Sequence, residues 1–73
     1  MNLTAVFERT DDGWYVAWIE ELPGAVTQGA TLDEARENLH EAVALVLEAR
    51  RELAAQAAHG HDVTREPFVL AAA

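Results

Sequence analysis

A tight turn followed by a capped helix constrains this chain more than any other stretch. Pro23 presets the φ angle of the second turn position, and Gly24 accepts the positive φ that a type II turn needs next. After a short extended segment, Thr31 is a strong N-cap candidate, because its hydroxyl can accept a hydrogen bond from a backbone N–H. Glu34, three residues later, completes the pattern of a capping box. These residues predict a helix that begins directly after Thr31.

The predicted helix is long. Its acidic residues concentrate near the start and its arginines come later, which suits the helix dipole. Apolar residues recur at the helical period, at Leu32, Ala35, Leu39, Ala42, Val43, Val46, Ala49 and Leu53. We predict a helix from Leu32 to about Ala58, with its end between Leu53 and Gly60.

Three strand candidates precede the helix. Residues 3–9 and 14–20 flank a hairpin signal at residues 10–13, where Asp and Gly tolerate the positive φ that such turns require. Residues 26–28 form a short third candidate after the Pro-Gly turn. We expect these strands to form one sheet with the helix on one of its faces.

A fourth strand is predicted after the helix, at residues 65–70. Pro67 cannot donate to a sheet ladder, so this strand should lie at a sheet edge or begin beside the proline. A right-handed crossover through the helix would place it parallel to the first strand. The predicted fold is therefore α+β, with element order β-β-β-α-β and a four-stranded mixed sheet of order 3-2-1-4. Residues 71–73 are predicted to be a tail.

The second strand candidate is apolar on both faces. Trp14, Val16 and Trp18 alternate with Tyr15, Ala17 and Ile19, whereas a strand with one solvated face should alternate with polar residues. One helix covers only one face of a sheet, so a second copy of the chain is the simplest cover for the other. We predict a homo-oligomer, a dimer or tetramer. Its predicted interface residues are Trp14, Tyr15 and Trp18, for which a ligand-binding platform is the alternative role.

Length and charge narrow the class of protein. Seventy-three residues predict one domain, residues 1–73. Thirteen acidic residues against five basic ones give a net charge of −8, which disfavours direct nucleic-acid binding and favours a basic protein partner. The chain has no cysteine, no signal-peptide pattern and no apolar run long enough to span a membrane. We expect a cytoplasmic protein with no membrane contact.

Catalytic motifs are missing from the sequence. It contains neither serine nor cysteine, which excludes a Ser or Cys catalytic triad. His40, His59 and His61 have only Asp62 near them at a plausible metal spacing, so exposed histidines are the favoured interpretation. A two-metal nuclease would cluster acids at strand and helix ends, but the acids here fit a cap and a solvated helix start. We expect no enzymatic activity, no metal and no cofactor.

The stretch 22–43 resembles the N-terminal domain of the HicB family of antitoxins. The similarity rests on a Leu-Pro-Gly turn at residues 22–24, Thr-Gln-Gly at 27–29, Thr-x-x-Glu-Ala at 31–35 and Glu-Ala at 41–42. The resemblance extends upstream through the Asp-Gly hairpin. It implies a partial ribonuclease-H-like fold with the strand order given above. Many members of that family add a C-terminal DNA-binding domain, which we do not expect in this chain.

The resemblance implies a function as well as a fold. HicB domains bind a small basic toxin of the HicA type, a ribonuclease that degrades mRNA, and block its active site. We therefore expect a stand-alone antitoxin domain that occludes such a toxin by shape and charge. From charge and exposure, the predicted partner contacts are Asp11, Asp12, Glu20 and Glu21. The alternative is a homo-oligomeric structural, regulatory or small-molecule-binding module with no toxin partner.

Overall fold

Two glycine turns define the strand connections in the computed structural model, which describes residues 2–70. In the first turn, the Gly13 N–H donates to the Thr10 carbonyl at 3.0 Å, and Gly13 has a φ of 87°. In the second, the Ala25 N–H donates to the Leu22 carbonyl at 3.2 Å, and Gly24 has a φ of 96°. A positive φ at this third turn position is what a type II turn requires. Both predicted turns are confirmed.

The turns connect three antiparallel strands in the order β1-β2-β3. Strand β1 spans Ala5–Arg9, β2 spans Tyr15–Ile19 and β3 spans Val26–Gly29. The first two are shorter than predicted, and β3 is one residue longer than predicted because it includes Gly29. The register places Trp18 of the central strand opposite both Val6 and Val26.

One helix, α1, spans Leu32–Ala58, as predicted. The Thr31 hydroxyl accepts a hydrogen bond from the Glu34 N–H at 3.1 Å, which confirms the N-cap. At the other end Gly60 has a φ of 79°, and the His61 N–H donates to the Ala58 carbonyl at 3.0 Å. This helix of 27 residues is about 40 Å long.

The hydrophobic core lies between one sheet face and the first half of α1. Its buried side chains are small or medium-sized, namely Ala17, Ile19, Ala25, Ala35 and Leu39. Gly29 permits the close approach of helix and sheet, because a Cβ atom there would lie 2.5 Å from the Ala35 nitrogen. Asn38 adds a polar tie, since its side-chain amide donates to the Gln28 carbonyl at 2.8 Å. The helix thus packs on one face of the sheet, over β2 and β3.

The predicted fourth strand is wrong. Residues 61–70 form no strand, and the sheet of the described chain has three strands, not four in the order 3-2-1-4. Phe68 and Val69 are 89% and 87% exposed. The predicted tail, residues 71–73, lies outside the described residues.

The reason for the error is geometric. β-Propensity describes how well a residue suits a pleated, half-buried surface, and it does not supply the neighbouring strand. The second half of α1 extends beyond the short sheet, in a molecule 52 Å long and 15 Å thick. The segment therefore follows the helix end that extends beyond the sheet, and Pro67 removes one ladder donor. Within residues 2–70, the outer edge of β1 has no partner strand.

Candidate functional site

The sheet face opposite α1 is the first candidate surface. Side chains alternate between faces along a strand, and the helix packs on the face that carries Ala17 and Ile19. The remaining side chains point away from it, and we call them the open face: Val6, Glu8, Trp14, Val16, Trp18, Val26 and Gln28.

One row of the open face is entirely apolar. Val6, Trp18 and Val26 lie directly opposite one another on the three strands. Val6 and Trp18 are half-buried, and Val26 is 58% exposed. An antiparallel sheet normally presents polar residues on a solvated face, and contiguous exposed apolar residues mark interaction sites. This row is therefore suited to contact with another protein surface.

The other end of the open face is polar and leads to the hairpin tip. Here an open cavity of about 310 Å³ is lined by Thr10, Asp12, Trp14, Val16 and Gln28. Trp14 is 43% exposed and supplies the aromatic wall. The cavity combines an indole ring with a carboxylate and an amide, which is a recognition chemistry that the apolar row lacks.

The Asp12 carboxylate is held in place inside the hairpin turn. The Thr10 hydroxyl donates to Asp12 Oδ1 and also contacts the Trp14 carbonyl at 3.2 Å. The hydrogen bond from Thr10 lowers the pKa of Asp12 below its ordinary value, because it favours the charged form. At neutral pH the cavity therefore carries a positioned negative charge.

The four predicted partner contacts fall at opposite ends of the sheet. Asp11 and Asp12 are exposed at the hairpin tip, whereas Glu20 and Glu21 follow β2 at the far end. Glu21 has an internal role there, because it accepts hydrogen bonds from both the Thr4 N–H and the Thr4 hydroxyl at 2.7 Å. These bonds, first the one from the Thr4 N–H, lower the pKa of Glu21. The acids therefore form two separate groups and not one patch.

The three predicted interface aromatics also separate. Trp14 and Trp18 lie on the open face, whereas Tyr15 lies on the helix side and packs against the core. The alternation of β2 already placed Tyr15 on the opposite face, and that signal was available in the sequence.

Two further features were missed by sequence reasoning. Predicting the hairpin cavity would have required knowing that Asp12 turns back beside Trp14. The Asp-Gly-Trp order was the only signal for this in the sequence. A second shallow cavity of about 280 Å³ lies beside the free edge of β1, and it is mostly apolar with Arg36 and His40 at its rim. No periodicity in the sequence predicts this groove, because it lies where α1, which packs over β2 and β3, leaves the β1 side of the sheet less covered.

The described part of the chain contains neither a metal-binding cluster nor a membrane-spanning helix. Within residues 2–70, no group of three or more His, Cys, Asp or Glu side chains is placed to hold a metal ion. The helix in this range lacks the long apolar stretch that crossing a bilayer demands.

Comparison with known proteins identifies similar chains. The model of a family described as UPF0150-like matches residues 3–55. A UPF0150 protein of Archaeoglobus fulgidus is 41% identical over 51 residues, which cover 70% of this chain and 74% of that protein. A UPF0150 protein of Synechocystis is 46% identical over 51 residues, which cover 70% of this chain and 71% of the relative.

A solved structure supports the same relationship. The N-terminal domain of the antitoxin HicB from Burkholderia pseudomallei superposes with a TM-score of 0.65 at 26% sequence identity. The match covers 94% of this chain and 74% of the HicB chain. The resemblance to HicB antitoxins that the sequence motifs indicated is therefore confirmed.

Proposed function

This chain belongs to the UPF0150-like family, and from that premise we propose that it is an antitoxin-like protein that binds and occludes a small basic toxin. The observation that carries the proposal is the structural match to the HicB N-terminal domain, which extends over 94% of the chain. The proposed partner is a HicA-like ribonuclease, as the HicB resemblance implies. The proposal locates both proteins in the cytoplasm, because that is where a toxin that degrades mRNA acts.

Charge supports this mode of action. The net charge of −8 opposes contact with the phosphate backbone of RNA or DNA and attracts a basic protein. A toxin that binds RNA needs a basic surface, so an acidic protein can occupy that surface without performing chemistry. Occlusion needs a stable complex and no catalytic group, so the proposal includes no enzymatic activity.

The test begins with the protein in its own host. We expect an N-terminally tagged chain to recover a small basic protein in near one-to-one ratio. The purified basic protein should cleave mRNA alone and lose that activity when this chain is added in equal amount. Recovery of the chain only with itself, from cells shown to express a candidate toxin, would contradict the proposal.

A matched pair of variants tests the role of the hairpin acids. Asp11→Asn combined with Asp12→Asn removes two charges at the tip, and Glu48→Gln combined with Glu52→Gln removes two from the exposed second half of α1. Both pairs change the net charge equally. We expect only the first pair to weaken toxin binding and inhibition, because the predicted contacts at Asp11 and Asp12 lie at the tip. Equal losses would indicate long-range attraction alone.

Self-association is a second candidate property, favoured by the apolar row of the open face. Val6, Trp18 and Val26 would lose solvent exposure against a second copy. We expect a mass in solution above the 8.0 kDa of one chain. Trp18→Glu should reduce it to a monomer, whereas Leu53→Glu, which changes a residue that is 65% exposed on α1, should not. A monomer for the unmodified chain at micromolar concentration would rule this out. Self-association without any toxin partner would favour the alternative, a homo-oligomeric structural, regulatory or small-molecule-binding module.

A further inference from the structure

We propose that the hairpin-tip cavity receives an arginine side chain of the basic partner protein. This inference rests on the proposed function, since it names the partner chemistry that one part of the open face would recognise. The hairpin-tip cavity is the depression lined by Thr10, Asp12, Trp14, Val16 and Gln28.

The aromatic wall suits a cation. Trp14 follows the turn directly. It lines the cavity and is 43% exposed, so its ring is accessible to a ligand. An exposed indole face attracts a cation through its quadrupole, and tryptophan is the best of the aromatic residues for this contact. A guanidinium group is flat and weakly hydrated, so it stacks on such a face better than an ammonium group does.

The carboxylate wall supplies the charge. Asp12 is held by the Thr10 hydroxyl, which occupies part of the acceptor capacity of one oxygen. An ionised carboxylate offers about four lone-pair sites, so capacity remains for N–H groups of a guanidinium. Because the Asp12 side chain is already positioned, binding would not need to order it first.

Neighbouring residues strengthen the preference for a positive ligand. Glu8 lies opposite Val16 in the row beside the cavity, and Gln28 lies on the other side of Val16. Arg9 is the closest basic residue along the chain, but it pairs with Tyr15 and so belongs to the helix side of the sheet. The cavity end of the open face therefore carries acidic groups and no basic strand residue.

The shape of the cavity favours a side chain delivered by another protein. A site for a free small molecule normally buries most of its ligand, whereas this cavity opens broadly at the end of a two-stranded hairpin. A long, narrow side chain can enter it with its flat end against Trp14 and Asp12, which both line the cavity. The apolar row at Val6, Trp18 and Val26 lies farther from the tip, so a second copy could cover it while the cavity stays accessible.

The test uses an arginine probe and a neutral mimic of the same shape. Nα-acetyl-arginine methylamide and Nα-acetyl-citrulline methylamide are titrated separately into the full chain, and binding is followed by NMR. We expect the indole N–H signal of Trp14 and the backbone signals of Asp12 and Gln28 to shift. The arginine probe should bind roughly fivefold or more tightly than the citrulline probe, as cation–π and charge-assisted contacts imply. Equal binding of the two probes, or shifts centred on Trp18, would overturn the proposal.

Variants locate the contact. Trp14→Leu and Asp12→Asn should each weaken binding of the arginine probe roughly fivefold, and Glu52→Gln should leave it unchanged. Well-dispersed amide spectra of each variant would show that it folds. An arginine affinity that neither cavity variant lowers would refute the site.

The two proposals can fail separately. If the arginine probe binds as expected but no basic toxin is captured, the cavity stands and the antitoxin role falls. If a toxin is captured and inhibited with the same affinity by the unmodified chain, Trp14→Leu and Asp12→Asn, the antitoxin role stands and the arginine site falls.

Discussion

The two halves of α1 share one helical pattern but differ in how far the sheet covers their apolar residues. In residues 32–46, Ala35 and Leu39 are buried against the sheet, and Val43 and Val46 pack beside them. In residues 47–58, Leu53 is 65% exposed although it continues the same apolar series. The first half is stabilised by packing. The second consists of Ala, Leu, Glu, Gln and Arg, all strong helix formers. Periodicity therefore predicts where a helix forms, but not whether another element covers it.

The largest test of this contrast truncates one leucine in each half. Leu39→Ala should lower the free energy of unfolding by about 2–5 kcal/mol, because it leaves a cavity in a small core. Leu53→Ala should change it by less than about 0.5 kcal/mol, as expected for an exposed site. Chemical denaturation followed by circular dichroism measures both. A large loss for Leu53→Ala would show that the second half of α1 is buried by a contact, such as a second copy.

A smaller loss of stability is expected when the glycine beside each half of α1 is replaced by alanine. Gly29→Ala places a methyl group 2.5 Å from the Ala35 nitrogen and 2.9 Å from its Cα, so sheet and helix must separate. We expect a loss of about 1–3 kcal/mol. Gly60→Ala meets no atom within 4 Å, and its φ of 79° strains only the helix end, at about 1 kcal/mol. Thermal unfolding measures the loss of stability for both variants. A smaller loss for Gly29→Ala than for Gly60→Ala would show that the helix and the sheet separate at little energetic cost.

The smallest expected effect concerns the exposed hydrogen bonds that Thr4 donates to the Glu21 carboxylate. The pKa of Glu21 is lowered in the folded chain, so the folded state binds its proton less readily than the unfolded state. The stabilisation is present above the unfolded pKa and is lost as the pH falls through the lowered value. Glu21→Gln should remove this part of the pH dependence, while Glu20→Gln retains it. Unfolding measured from neutral to acidic pH provides the comparison, and identical profiles would exclude a role for the Thr4 contact.

Local sequence signals predicted most of the fold. Pro23 and Gly24 determine their turn by backbone preference alone, and Thr31 starts α1 through a bond to its own first turn. Such features need no distant partner. The segment at residues 65–70 had strand-like composition, but a strand also needs a neighbour, and no local pattern supplies one.

The candidate site was predicted in part for the same reason. Charge and exposure selected the acids, but they do not consider that β2 lies between Asp12 and Glu21 and so places them at opposite ends of the sheet. The Thr10 bond that positions Asp12, and the Thr4 bonds that engage Glu21, give these two acids different roles. Composition alone would assign Asp12 and Glu21 the same role.

The bond pair between Thr4 and Glu21 has a practical consequence for handling the protein. It anchors the start of β1 beside the loop that follows β2, at the end of the sheet away from the hairpin. Six residue steps separate Thr4 from Thr10, which corresponds to about 20 Å of extended chain. An affinity tag, dye or surface linker joined ahead of residue 2 therefore leaves from the side away from Trp14. Immobilisation by that end presents the hairpin tip outward, which suits sensor-based binding measurements.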